Sequence, residues 1–328
     1  MRTASGRSPR SLATLNWVFG CGGIVAYHDV TRAPFSPSIH VSVDAFTQQL
    51  EFLTAERYEI LPLSELVERR RRRRSIRRCV ALTFDDAYHG VLELALPVLQ
   101  RFAAPATVFV ATGYARDPAR RYWWDRLTWV LERAPEVVTQ RLGVGPLAGK
   151  SQDELRTALV AASAGRLTRD ADSAIGALER DVGVVPERSL AEAELQMLAR
   201  GDLIEFGCHT ESHPALPALP PEEQRREIAS SHAWLAERLP RVRRFLAYPY
   251  GQYDRSTMQV ARDAGMEAAF SIEGRAAGPR FDLYACPRIG MAEVNSLRSF
   301  EMRLNWLAIP LVALRNGGWH PRVAFAAS

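Results

Sequence analysis

Nine residues, 80–88, constrain this chain more than any others. Val80, Ala81, Leu82 and Thr83 read as a buried strand, and two adjacent carboxylates, Asp85 and Asp86, stand where it ends. Successive strand side chains point to opposite faces. Where the backbone turns at the end of the strand, both carboxylates can reach one cavity from different angles. Two like charges that close repel, so each needs a stabilising partner. A metal ion for one and a cationic side chain for the other would serve.

The flanking pattern predicts how such a strand is housed. Residues 23–27 read as a first strand ending at His28 and Asp29, followed by a loop to His40. Phe46, Leu50 and Leu53 give residues 43–55 a helical period. A short strand at 58–61 precedes a helix with Ser64 as its expected N-cap. Residues 92–102 read as a helix in which Pro97 marks a bend or boundary, and 106–110 as the next strand. Later strands are expected near 204–207, 244–248, 268–271 and 285–289, with helices at 190–198, 222–239 and 253–264. This alternation predicts a parallel α/β architecture, either a barrel or an open sheet. In both, active residues collect beyond the carboxyl ends of the strands. His28-Asp29, Asp85-Asp86, the 209–213 segment, Tyr250 and Arg288 all fall there. Residues 135–190 read as a polar helical insertion, and Tyr122, Trp123, Trp124 and Asp125 as either groove lining or core.

Composition excludes some functions. The net charge is +5, but 37 acidic residues nearly balance 42 basic ones, and no nucleic-acid-binding motif appears. Lys150 is the only lysine, which points to a compositional bias towards arginine. The six arginines at 69–74 read as a solvated helix end, where cations are favoured; contact with an anionic lipid or polysaccharide is the other reading. Cys21, Cys79, Cys208 and Cys286 are scattered and form no paired motif, so buried apolar roles are expected. Residues 1–19 read as a basic tail, and Gly20, Gly22 and Gly23 interrupt the apolar stretch that would imitate a leader. No apolar run is long enough to span a bilayer. Residues 304–314 read as a core helix or as a surface that touches a membrane peripherally. The compartment expected is the cytoplasm, at the inner membrane face, with export as the alternative. The sequence leaves oligomeric state open.

His209 and His213 are four residues apart, a spacing that suits two ligands of one metal. Pro214 disfavours helical geometry at His213, so a tight turn is expected. Two histidines and one aspartate leave an open position, as a catalytic zinc site requires.

Thr83-Phe84-Asp85-Asp86, His209-Thr210-Glu211-Ser212-His213 and Pro249-Tyr250-Gly251, in that order, resemble the polysaccharide deacetylases with a NodB-like domain. The opening Tyr27-His28-Asp29-Val30 resembles the branch that processes exopolysaccharides. The resemblance covers residues 20–295, leaving 296–328 as a C-terminal helix and tail. It implies a distorted (β/α) barrel, carrying the 135–190 insertion, and metal-dependent removal of N-acetyl groups from an N-acetylhexosamine in a polysaccharide or lipid-linked glycan. The implied cofactor is zinc or another divalent metal such as cobalt or nickel, and the implied partner is an acetylated glycan. By motif, Asp85 would be the catalytic base and Asp86, His209 and His213 the metal ligands. The backbone N–H of Tyr250 would help hold the oxyanion.

The chain departs from the family pattern in two places. Ala87 stands where glycine is usual, in a turn that glycine tolerates better. Ala247 stands where many members carry the arginine that orients the base, and Arg288 in Pro287-Arg288-Ile289 is assigned that role. For the general acid, His28 after the first strand is preferred to the late His320. His89 is expected in a loop, and His40 and His232 at the surface or in structural roles. Cleavage of O-acetyl esters, another amidohydrolase reaction, and glycan binding on an inactive site are the alternative functions.

Overall fold

The computed structural model describes residues 23–32, 39–117, 119–133, 169–273, 281–292 and 296–304. Its strands are β1 (Gly23–Tyr27), β2 (Asp29–Thr31), β3 (His40–Ser42), β4 (Glu59–Ile60), β5 (Cys79–Phe84), β6 (Ala106–Val110), β7 (Ile204–Cys208), β8 (Val242–Ala247), β9 (Ala268–Phe270) and β10 (Ile289–Gly290). The main sheet runs β10-β1-β5-β6-β7-β8-β9, with β4 also on β5, and every pairing is parallel. Every residue of β1, β5, β6 and β7 is buried. That is the pattern of strands covered on both faces, and it explains their nearly unbroken apolar sequences.

The sheet curls until its ends approach. Beyond β9, Ser271 N–H donates to Cys286 O at 2.9 Å and Glu273 N–H to Arg288 O at 3.1 Å. At the very next residue the same segment pairs with β1, Val25 opposite Ile289. Residues 286–290 therefore join the two ends of the curl into a distorted barrel. This closure also carries Arg288 into the interior, where it is fully buried.

Several local expectations are revised. The stretch expected to be a loop begins with β2 and leads into β3, the two paired in parallel with Asp29 opposite His40. Ser64 is not a helix cap. The helix Leu63–Arg71 starts one residue earlier behind Pro62, whose fixed φ suits the position. The Ser64 hydroxyl instead donates to Glu205. The 92–102 segment is split into a π turn, Val91–Ala95, and an α-helix, Leu96–Arg101, with Pro97 in its first turn. Part of the arginine run is paired: Arg69 with Glu59 and Glu65, Arg71 with Glu267, and Arg72 with Glu68.

In the predicted insertion, residues 134–168 lie outside the described residues. The helix Arg169–Val182 packs on Trp123–Arg133, fastened by Arg126 to Glu179 at 2.7 Å. The helix Leu297–Leu304 buries Phe300, which lies edge-on to Phe52. Cys79, Cys208 and Cys286 are free thiols in the interior, as expected. Cys21, His320 and residues 305–314 lie outside the described residues. Among those described, no helix is long and apolar enough to cross a membrane.

Candidate metal and catalytic site

The site begins where β5 ends. Asp85 N–H donates to Tyr27 O at 2.9 Å, extending the ladder to β1 by one step. The backbone then turns through two left-handed residues, Asp86 (φ 65°) and Ala87 (φ 51°). A left-handed residue with a β-carbon costs roughly 1–2 kcal/mol. Fixed carbonyls offset this. Asp86 O accepts from the Tyr122 hydroxyl at 2.8 Å and the Ser189 hydroxyl at 3.1 Å, and Ala87 O accepts from Leu190 N–H at 2.7 Å. The expected conflict between Ala87 and the turn is therefore real, and neighbouring segments hold the turn in place.

The reversal sends the two carboxylates to different partners. Arg288 donates from Nη1 to Asp85 Oδ1 and from Nη2 to Asp85 Oδ2, both at 2.7 Å. Its Nε–H reaches Ser271 O, and Nη1 also reaches Thr83 Oγ1. Such two-pronged pairs are strong and geometrically specific. Burial alone would raise the Asp85 pKa, but the Arg288 charge outweighs it and holds the carboxyl below its ordinary range.

Asp86 faces the histidines. Its Oδ1 lies 3.6 Å from His209 Nε2 and 3.4 Å from His213 Nε2, and the two nitrogens are 3.2 Å apart. His209 Nδ1 is 2.8 Å from Ala247 O, so that nitrogen carries the proton and Nε2 is left as a ligand. The 209–213 segment is a tight turn, as Pro214 implied, with Thr210 (φ 65°) and His213 (φ 60°) both left-handed. His213 N–H donates to Thr210 Oγ1. Glu227, from the helix Pro221–Arg238, accepts from Glu211 N–H at 2.9 Å, Ser212 N–H at 2.8 Å and the Ser212 hydroxyl at 2.6 Å.

This donor set fits a divalent cation. Asp86 Oδ1 is buried and has no hydrogen-bond partner among the described residues. Burial and the Asp85 charge push the Asp86 pKa well up, a strain that a cation would relieve. Burial keeps both imidazoles neutral, the form in which they ligate. A tetrahedral metal with bonds of about 2.0–2.1 Å spaces its ligand atoms by about 3.3 Å, close to the separations seen. Three protein ligands would leave one position open.

His28 follows β1, is partly exposed, and lies within electrostatic reach of Asp85, Arg288 and His209. Burial of its ring pushes its pKa down to about 4, against an opposing pull from Asp85. Tyr250 sits in the Pro249–Gly251 turn at φ 58°, its ring edge-on to His213 at 4.7 Å. Trp123 Nε1–H donates to the Tyr250 hydroxyl. Tyr122 and Trp124 are packed wall, not open groove: Tyr122 is fully buried, and the Trp124 ring lies 4.8 Å from that of His213. His89 sits beside Glu93 and Glu194. His40 is fully buried between Asp29 and Asp125, which gives it a structural place and excludes the surface.

Sequence reasoning missed Tyr122, Ser189 and Glu227 as supports of the two turns that carry the candidate metal ligands. Their signal was weak, because each acts from a distant segment through backbone groups.

The model of the family described as polysaccharide deacetylase matches residues 72–269. The poly-beta-1,6-N-acetyl-D-glucosamine N-deacetylase of Staphylococcus epidermidis is 22% identical over 249 residues, covering 76% of this chain and 67% of that protein. The Staphylococcus aureus protein of the same name is 21% identical over 257 residues, with the same coverage. Among solved structures, the Streptococcus pyogenes deacetylase PplD superposes with a TM-score of 0.59 at 19% identity, over 86% of this chain and 97% of that one. IcaB from Ammonifex degensii gives 0.58 at 19% identity, over 87% and 97%.

Proposed function

Because the chain belongs to the polysaccharide deacetylase family, we propose that it is a metal-dependent hydrolase that removes N-acetyl groups from a polymer of N-acetylhexosamine. The observation that carries this reading is the division of labour between the adjacent carboxylates. One is locked to an arginine, and the other lies with two imidazoles in a cluster whose ligand atoms are all within 4.8 Å of one another. The N-acetylglucosamine polymers named for the staphylococcal relatives support the substrate class. The Tyr27-His28-Asp29-Val30 opening supports the exopolysaccharide branch.

Asp86, His209 and His213 would hold the metal, with zinc the leading candidate. The ion supplies Lewis acidity, polarising the acetyl carbonyl and acidifying water. Asp85 takes a proton from the water that attacks the acetyl carbon. Arg288 keeps that carboxylate ionised and fixes its direction. The backbone N–H of Tyr250 donates to the oxygen that gains charge. His28 delivers a proton to the departing amine. Burial leaves it neutral beforehand, so the proton it passes on is the one that Asp85 took from the attacking water.

The test is acetate release from poly-β-1,6-N-acetylglucosamine by zinc-loaded protein, with an O-acetylated glycan as comparison. Free amines should appear by mass spectrometry at the rate at which acetate appears. Metal-loaded protein that releases acetate only from the ester would overturn the N-deacetylase reading. Release from neither would overturn both.

A further inference from the structure

A chain of buried polar contacts runs from the small β2-β3 sheet to the back of a metal-ligating imidazole. His40 Nδ1 lies 3.4 Å from Asp29 Oδ2, and His40 Nε2 lies 3.4 Å from Asp125 Oδ1. The Tyr88 hydroxyl donates to Asp125 Oδ2. Trp124 Nε1–H donates to the Tyr88 oxygen at 3.0 Å. The Trp124 ring then lies 4.8 Å from the His213 ring. His40 and Tyr88 are fully buried, and Asp29, Asp125 and Trp124 nearly so.

Burial would normally drive an imidazole towards its neutral form, but the Asp125 and Asp29 carboxylates overcome this and push His40 up to about 10. A charge kept inside a protein needs partners on every side, and removing one is costly. Here the cation is shared between two carboxylates on separate segments. One of them, Asp125, stands next to Trp124 and in the same helix, Trp123–Arg133. Tyr122, just before that helix, is the residue that holds Asp86 O. The direction of Trp124 is thus set from both ends: by its Nε1–H on Tyr88 and by its backbone beside Asp125.

We propose that His40 is a positioning residue for the metal centre, acting through Asp125, Tyr88 and Trp124 to fix the ring plane of His213. This rests on Asp86, His209 and His213 being the metal ligands. His40 itself touches neither substrate nor metal. Residues that orient metal ligands typically change affinity by about 10–100-fold when removed.

The experiment measures zinc affinity by competition with a chromophoric chelator, and the visible spectrum of the cobalt-loaded protein, for the wild type, His40→Gln, Tyr88→Phe, Trp124→Phe and the His40→Gln/Trp124→Phe double variant. His40→Gln should fold, bind zinc about ten-fold more weakly and give an altered cobalt spectrum. In the Trp124→Phe background, the His40 substitution should have almost no further effect, because the two act along one path. A folded His40→Gln with wild-type affinity and spectrum would overturn the proposal, as would an equal loss in both backgrounds. Should His40→Gln fail to fold, Tyr88→Phe decides on the same two readouts. A wild-type protein that binds no metal would overturn the metal site itself, a result distinct from normal binding that the variants leave unaltered.

Discussion

Arg288 grips Asp85 with two parallel hydrogen bonds of 2.7 Å, and neither side chain reaches solvent. The arginine comes from the segment that closes the barrel, and the aspartate from the strand at its centre. The pair therefore joins the fold's closure to its chemistry, and its removal has a signature in pH. An Asp85 held below its ordinary value of about 3.9 contributes stability that is full above that value and lost as pH falls through the lower folded one. In Arg288→Gln, burial raises Asp85 against only the weaker opposing pulls of His209 and His28, so the sign reverses and stability falls as pH rises. That variant should lose about 3–5 kcal/mol near neutrality, where breaking a buried pair costs most. Its deficit should shrink towards about pH 4. Urea unfolding of the metal-free proteins across that range checks this.

Asp85→Asn should keep wild-type zinc affinity and lose turnover by about 10²–10⁴-fold, the usual size of a general-base contribution. Asp86→Ala, His209→Ala and His213→Ala should lose zinc and turnover together. Metal content after dialysis, read beside the acetate-release rate, separates the two classes. An Asp85→Asn protein of normal turnover would remove Asp85 from the mechanism.

His28→Ala should lower kcat by a similar factor of about 10²–10⁴ with zinc affinity unchanged. An unaltered rate would mean that another donor protonates the leaving amine.

Glu227 is a test of the 209–213 turn. Three donors converge on its carboxylate, and an alanine there would leave all three without that acceptor. Glu227→Ala should weaken zinc binding by about ten-fold. It should also destabilise the metal-free protein by about 1–3 kcal/mol, the cost of buried groups left without partners. Zinc titration and thermal unfolding read the two effects separately.

Ala87 offers a purely conformational prediction. Its φ of 51° suits glycine, yet its methyl group is buried in the core. Ala87→Gly should change stability by no more than about 1 kcal/mol, since relief of the left-handed strain and the added freedom of the unfolded chain oppose each other. Ala87→Val should cost considerably more, because a β-branched side chain resists that region. Denaturant midpoints of the two variants give the comparison.

The Asp85-Asp86 pair and the His209–His213 spacing were legible in the sequence because each lies in one short segment. The pairing of Arg288 with Asp85 was expected from the resemblance of Pro287-Arg288-Ile289 to a family motif, with Ala247 unable to serve. The His40 clasp was hidden. Asp29, Tyr88 and Asp125 meet it from three further segments, and no local pattern marks that convergence. Ser64 misled because a serine before an apolar period looks like a cap, whereas Pro62 already fixes the start of that helix. The support of Asp86 by Tyr122 and Ser189 was equally hidden, since both act on a backbone carbonyl and leave no mark in the side-chain pattern.

That carbonyl has a wider consequence. Tyr122 and Ser189 bracket the long excursion of the chain between β6 and β7, and both are fastened to one oxygen, Asp86 O. The excursion is thus tied to one point from both of its flanks. Chain added to or taken from its middle would leave the knot, and with it the Asp86 turn, where it is. A fold built this way can vary that segment without moving the Asp86 turn beneath it.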